Sequence, residues 1–420
     1  MSIFRLYATK QDNLHAVKRN FLGRPSNNLT SGIVGLANVG KSTFFQAITQ
    51  SKLGNPANYP FATIEPEEAK VIVPSKRLDH LQRLYQSEKK IPATLTIYDI
   101  AGLTRGASQG EGLGNKFLND IRHTDGIYQV VRGFTKQEIT HIEGSVDPVR
   151  DLSVVQDELV LKDLEFLEGI REKLERKMNR TAKNSGDYQQ MSTELEMMNA
   201  LEEHLYEGKK IAHFKQNWSE DEVNILNKHN FLTAKPTLVL LNVCPEDYLL
   251  QENQFKEKVC KWINEYSPGD ELLLFSADFE TKYNEFMESG NKQGFHNYCR
   301  EIVGDSLDTT GFESALPQII LKMREILGLI SFYTCGPLEA RQWSVREGTF
   351  APQAAGVIHT DLEKTFISAS VIKYADLESM APPLQESTLK SQGKIKRGGK
   401  QYTIEDGDVV LFKAAGGNTR

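Results

Sequence analysis

The chain has 420 residues, 25% of them charged and 39% hydrophobic, a composition that fits a globular protein of roughly two to four domains. A formal net charge of −6 excludes a global polycation built to coat nucleic acid and leaves only local basic patches for that purpose. No apolar run approaches the roughly 18–20 residues of a membrane-spanning helix. Cys244, Cys260, Cys299 and Cys335 form neither a C-x-x-C pair nor a zinc spacing, so they read as reduced thiols of an intracellular protein.

Residues 1–28 are expected to form a basic arm: Arg5, Lys10, Lys18, Arg19 and Arg24 face a single acid, Asp12. With Ile3, Phe4, Leu6 and Tyr7 this segment also fits a mitochondrial presequence. A cytoplasmic protein with a basic arm and a matrix protein with a leader are both open at this point. Residues 32–36 read as the end of a buried strand and 42–50 as a helix. Strands follow at Thr94–Tyr98, Gly126–Val131, Leu238–Leu241 and Leu272–Phe275. Strands alternating with helices predict an α/β domain with a parallel-rich sheet, over 29–135 and 232–330.

Between these two stretches, residues 136–231 have a different texture. Val160, Leu164, Leu167, Ile170, Leu174 and Met178 recur at helical spacing, as do Met191, Leu195, Met198, Leu201 and Leu205. Residues 181–187 form a polar break, so the segment predicts an antiparallel helical hairpin, either a coiled coil or two amphipathic helices laid on the domain. From 331 to 418 short strand-like runs at Gln342–Val345, Lys364–Ser370 and Asp408–Phe412 alternate with Gly-rich turns and predict a small α+β domain.

The chemistry concentrates in Gly35–Ser42, Gly-Leu-Ala-Asn-Val-Gly-Lys-Ser, a G-x-x-x-x-G-K-[ST] loop between a strand and a helix. Glycines let backbone N–H groups approach phosphates, and the helix N-terminus adds partial positive charge. Asn38, Val39 and Gly40, with Lys41, Ser42 and Thr43, are the expected cradle. Lys41 would neutralise the β- and γ-phosphates and the Ser42 hydroxyl would ligate Mg²⁺. Asp99-Ile-Ala-Gly102 follows a strand, so Asp99 is placed to hold the metal through water and the Gly102 N–H to meet the γ-phosphate. Gly106, Gly110, Gly112 and Gly114 predict a loop suited to an order–disorder switch. Thr63 is either a second metal ligand or an ordinary loop threonine.

These segments, together with Asn58–Pro66 and Ala351–Phe366, resemble the YchF subfamily of Obg-related P-loop NTPases, the Obg-like ATPases, and within it fungal paralogues most. The resemblance spans roughly 22–415. It implies a G domain, a coiled-coil insertion and a C-terminal TGS domain of β-grasp fold. It also assigns Thr63 as the metal ligand of the first switch loop.

Guanine-specific relatives carry N-K-x-D after a strand, the Asp accepting two hydrogen bonds from guanine. Here the run is Asn242-Val243-Cys244-Pro245, and proline accepts neither. Losing both in a buried pocket costs several kcal/mol of specificity. The subfamily likewise has a degenerate element and prefers ATP, though its fourth position is usually Glu, so this sequence departs from it. ATP is expected over GTP. Asn242 would bond the base edge, the Val243 backbone would read adenine, and Ser276-Ala277 would close the pocket. Leu103 stands where Ras-like proteins place the water-orienting Gln. Asn38 either helps coordinate a K⁺ that stabilises transition-state charge or braces its loop. Slow hydrolysis, raised by a partner or an ion, is expected.

Lys394, Lys396, Arg397 and Lys400 cluster at a Gly-Gly turn, reading either as a solvated hairpin tip or as an RNA-contacting patch. The TGS resemblance points to a ribosome or RNA partner, with the coiled coil as a second docking surface. No membrane partner is expected, and the protein reads as a monomer.

Overall fold

The computed structural model describes residues 21–24, 26–50, 63–65, 68–100, 102, 118, 120–136, 141, 143–215, 217–305 and 308–415. Strand β1 (Thr30–Val34) is buried along its whole length and ends on the glycine loop. Helix α1 (Lys41–Gln50) leaves that loop with Lys41, Phe44, Ala47 and Ile48 turned inward. β2 (Thr63–Glu65) and β3 (Glu68–Ile72) form a hairpin. Ser75 then caps α2 (Lys76–Tyr85) by accepting from the Leu78 N–H. β4 (Lys89–Ile91), β5 (Thr94–Asp99) and β6 (Gly126–Arg132) follow.

The hairpin helices are α3 (Pro148–Met178) and α4 (Gly186–Tyr206), and α5 (Glu220–His229) closes that segment. β7 (Thr237–Asn242), α6 (Pro245–Leu250), α7 (Lys256–Tyr266), β8 (Glu271–Phe275), α8 (Ala277–Ser289), α9 (Lys292–Val303) and α10 (Leu316–Ile326) complete the first unit. The rest is β9 (Leu329–Cys335), β10 (Glu339–Arg346), α11 (Ala351–Ile358), α12 (Thr360–Lys364), β11 (Phe366–Lys373), β12 (Lys396–Gly398) and β13 (Asp408–Ala414), with short helices at Tyr374–Leu377 and Glu386–Ser391. No described helix is long and apolar enough to cross a membrane.

The first sheet runs β2-β3-β5-β1-β6-β7-β8. β5, β1, β6, β7 and β8 are parallel, whereas β3 is antiparallel to β5 and β2 to β3. The expected strands are all present: four are longer by a residue or two, and the first, read as ending at 36, ends at Val34. The β2–β3 hairpin escaped the reading because Glu65, Glu68 and Lys70 interrupt its apolar pattern. β6 and β7 are buried at every position, as strands covered on both faces must be.

The second sheet runs β12-β11-β13-β9-β10-β4. Its last five strands in chain order lie as fourth, third, fifth, first, second, with β13 parallel to β9 at the centre, and α11 packs on β10 and β11. That is the order of a β-grasp sheet. The sixth strand, β4, comes from within the 29–135 segment and pairs in parallel with β10. α2 accompanies it: Leu78, Leu81 and Leu84 share a core with Tyr333, Ala340 and Val409. The strand expected at Lys364–Ser370 is corrected by two residues. Thr360–Lys364 is a helix capped by His359, and pairing begins at Phe366.

In the hairpin, Val160, Leu167 and Leu174 meet Met198, Leu201 and Leu205 in a core that also takes Trp218, Val223 and Leu226 from α5 and the loop before it. Asp147 caps α3 and Pro148 opens it, a start signal written in the sequence. The chain returns to the sheet past a buried carboxylate. The fully buried Asp163 accepts from the N–H groups of Leu232 (2.8 Å) and Thr233 (2.7 Å) and from the Thr233 hydroxyl (2.6 Å).

Residues 22–24, read as part of the basic arm, join three regions instead. Arg24 forms a two-point pair with the buried Asp125 ahead of β6. The Gly23 N–H donates to Asn227 of α5, at 2.9 Å. Arg346 of β10 donates to the carbonyls of Leu22 (2.8 Å), Gly23 (3.4 Å) and Arg24 (2.7 Å). Replacing Arg346 with Ala orphans these acceptors and should lower stability by about 2 kcal/mol. A lower urea midpoint, together with faster proteolysis at 21–28, is the expected measurement.

Candidate functional site

The glycine loop is shaped by three left-handed or close-packed positions. A Cβ on Gly35 would lie 2.3 Å from the Val130 carbonyl oxygen of β6. Asn38 has φ 63° and Gly40 φ 100°, and Asn is among the few side chains that tolerate this region. Phe44 anchors the helix that follows, meeting Tyr128 and Phe275 edge-on at 5.9 and 5.0 Å.

Lys41 is buried, and its ammonium donates to the Leu36 carbonyl at 2.7 Å, inside its own loop. Burial pulls its pKa down to about 8, against the attraction of Asp99 at the end of β5. Gly102 packs on the same ammonium: a Cβ there would stand 3.0 Å from Lys41 Nζ and 3.3 Å from the Ala37 nitrogen. Asp99 and Gly102 therefore both lie beside Lys41 of the glycine loop. Ser42 and Thr43 are exposed on the first turn of α1. Thr63 enters β2 opposite Ala69. Asn58–Ala62, Leu103, Gly106, Gly110, Gly112 and Gly114 lie outside the described residues.

The base side is organised by Asn242, which is buried at the end of β7. Its Nδ2 donates to the Val39 carbonyl at 2.9 Å, and its Oδ1 accepts from the Ala277 N–H at 3.0 Å. One side chain thus ties the phosphate loop to the segment after β8. The Val243 N–H is taken by the Phe275 carbonyl at 2.9 Å, so reading by Val243 would fall to its carbonyl. The Ser276 hydroxyl accepts from the Phe279 N–H and caps α8. Pro245 is the first residue of α6, with Cys244 as its cap, and Glu246 beside it is exposed.

Sequence reading missed Glu280, in the first turn of α8. Its carboxylate accepts from the Ala315 N–H (2.8 Å) and the Ser314 hydroxyl (2.5 Å) at the start of α10, tying the base segment to the last helix of this unit. A lone Glu in a polar-looking helix carries no signal of that burial. Burial raises its pKa from 4.5 to about 7. The folded state then binds the proton more tightly than the unfolded chain, so this group's contribution falls as pH rises from about 4.5 to about 7 and is level above. Glu280→Gln should flatten that part of the pH profile, read as a smaller drop in Tm between pH 5 and 8 than in the wild type.

A phosphate loop opening a helix, a D-x-x-G glycine on its lysine, and an Asn clamp on the base side define a P-loop nucleoside triphosphatase carrying a β-grasp unit. Residues 30–161 match the family model described as a 50S ribosome-binding GTPase, and 329–415 match the YchF-GTPase C-terminal model, described as a protein of unknown function. An Obg-like ATPase homolog of Saccharomyces cerevisiae is 66% identical over 400 residues, covering 95% of this chain and 98% of that one. Obg-like ATPase 1 of Homo sapiens is 41% identical over 392 residues, covering 93% and 94%. The solved structure of the Schizosaccharomyces pombe YchF GTPase is 46% identical, with a TM-score of 0.81 over 93% of this chain and 99% of that one. The chain belongs to the YchF, or Obg-like ATPase, family.

Gly40→Ala places a methyl 2.2 Å from Asn242 Nδ2 at a backbone angle alanine rarely adopts. Displacing the clamp should weaken nucleotide binding at least about tenfold, read by titration of a fluorescent nucleotide, with circular dichroism unchanged.

Proposed function

We propose that this protein is a nucleotide-dependent molecular switch that binds ATP with Mg²⁺, hydrolyses it slowly and associates with ribosomes or RNA. The observation that carries the ATP reading is the base segment itself. Asn242 is fixed beside the phosphate loop by two buried hydrogen bonds, which supports a contact to a base, while the position that reads guanine in N-K-x-D proteins is Pro245, built into the start of α6. The relatives' names divide between ATPase and GTPase, so the preference rests on these residues. GTP is the competing substrate.

The donors available for a metal are oxygens, as Mg²⁺ requires. Ser42 is exposed on α1 and Asp99 ends the strand beside β1; Thr63 is the third ligand proposed. A bound Mg²⁺ would neutralise phosphate charge. Lys41 would exchange its bond to Leu36 for the β- and γ-phosphates, and the Gly102 N–H would meet the γ-phosphate. Leu103 supplies no water-orienting group, which supports slow turnover. With Asn38 held at positive φ in the loop, a K⁺ site there is the second proposal.

The ribosome reading is supported by the description of the matched family model and by the edge strand β12 and its flanks, where Lys396 and Arg397 of the strand and Lys400 beyond it are exposed while Lys394 before it pairs with Asp376. A TGS role for the β-grasp unit, docking by the hairpin as a coiled coil, a monomeric state and a cytoplasmic location belong to the same proposal.

Competition against a fluorescent nucleotide tests it. ATP should displace the probe at lower concentration than GTP, and Lys41→Ala should weaken both by about 2–3 kcal/mol, the worth of a charged hydrogen bond to phosphate. GTP displacing as well as ATP overturns the preference. Equal turnover in K⁺ and Na⁺ removes the potassium role, and single turnover at the background rate replaces the hydrolase with a nucleotide-gated scaffold.

A further inference from the structure

Arg132, Asn242 and Phe275 form one row across the C-terminal ends of β6, β7 and β8. The last two belong to the base side already described. Arg132 ends an otherwise uncharged strand and is 1% exposed. Its Nε donates to the Phe134 carbonyl at 3.1 Å and its Nη2 to the Lys136 carbonyl at 3.3 Å. The guanidinium carbon lies 4.5 Å from the centre of the Phe134 ring. Residues 133–136 are wound around this one cation.

Both ends of the wound loop dock on the base segments. The Gly133 N–H donates to the Asn242 carbonyl at 2.8 Å, and the Gly133 carbonyl accepts from Asn253 Nδ2 at 3.0 Å. A Cβ on Gly133 would stand 2.9 Å from Leu241, so the backbone itself is pressed against β7. At the other end, Lys136 Nζ pairs with Asp278 at 2.6 Å, one residue beyond Ala277. The loop therefore spans from Asn242 to the first turn of α8. Burial lowers the pKa of the Arg132 guanidinium, and the field of Asp151 opposes that. Asp151 is itself buried in the first turn of α3, held by His141 (2.7 Å) and Arg150 (3.0 Å).

We propose that Arg132 is a positioning residue for the base: it holds residues 133–136 as the wall that closes on the purine, without touching the phosphates. The inference rests on the nucleotide site assigned above. Arg132→Lys keeps the charge near Asp151 but lacks the planar fork that reaches two carbonyls. The variant should bind ATP about tenfold more weakly, while tripolyphosphate, which has no base, stays within about twofold of the wild type. KM for ATP rises and kcat at saturation is retained. In the wild type, ATP should slow hydrogen exchange over residues 134–136 and tripolyphosphate should not.

Equal loss of ATP and tripolyphosphate binding, or loss of neither, reduces Arg132 to a fold-supporting role and overturns the proposal. Absence of ATP-specific protection in the wild type overturns it even where Arg132→Lys does not fold. Wild-type protein that fails to bind ATP overturns the site assignment, and the proposal with it. Normal wild-type binding with an unaffected variant overturns the proposal alone.

Discussion

The amide of Asn242 is the contact on which the nucleotide site depends. Its two hydrogen bonds, one to the phosphate loop and one to the start of α8, are both buried. Bonds of this kind contribute little net energy each, but an unmade partner in such a place costs more than the bond contributes. The loop and the base segment arise from opposite ends of the first sheet's chain path, and this side chain bridges them directly. Gly40 has to be a glycine partly because that side chain occupies the space beside it.

A second constraint acts through the far end of β5. The Ala93 N–H, just before the strand that ends on Asp99, donates to Gln342 of β10 at 3.3 Å. Gln342 in turn bonds Ser331, which also accepts from the buried Arg324 of α10 at 2.9 Å. Burial lowers the Arg324 pKa to about 10, so it remains charged at neutral pH. The strand that ends on Asp99 and the centre of the β-grasp sheet thus share one polar network, and displacement of either has to be accommodated by the other.

Much of this was legible beforehand for physical reasons. The phosphate loop is written in contiguous residues whose sizes and charges follow from the ligand, so Gly35, Gly40, Lys41 and Ser42 could be read directly. The hairpin was legible because its apolar period is long and uninterrupted. Arg24, Arg132 and Glu280 were not, because their partners lie far away in sequence and nothing local distinguishes a buried charge from a solvated one. β4 escaped for a related reason. Lys89-Lys90-Ile91 has no strand pattern of its own and is a strand only because β10 offers it an open edge.

That borrowed strand also bears on how such proteins arise. A sheet that takes its sixth strand and a covering helix from between β3 and β5 of its neighbour is not transferable by a single genetic cut. Moving the segment after 328 alone would strip α2 from Tyr333 and Val409 and leave β10 with a bare edge. Recombination that separates the two halves would yield two aggregation-prone pieces, so the halves are bound to be inherited together.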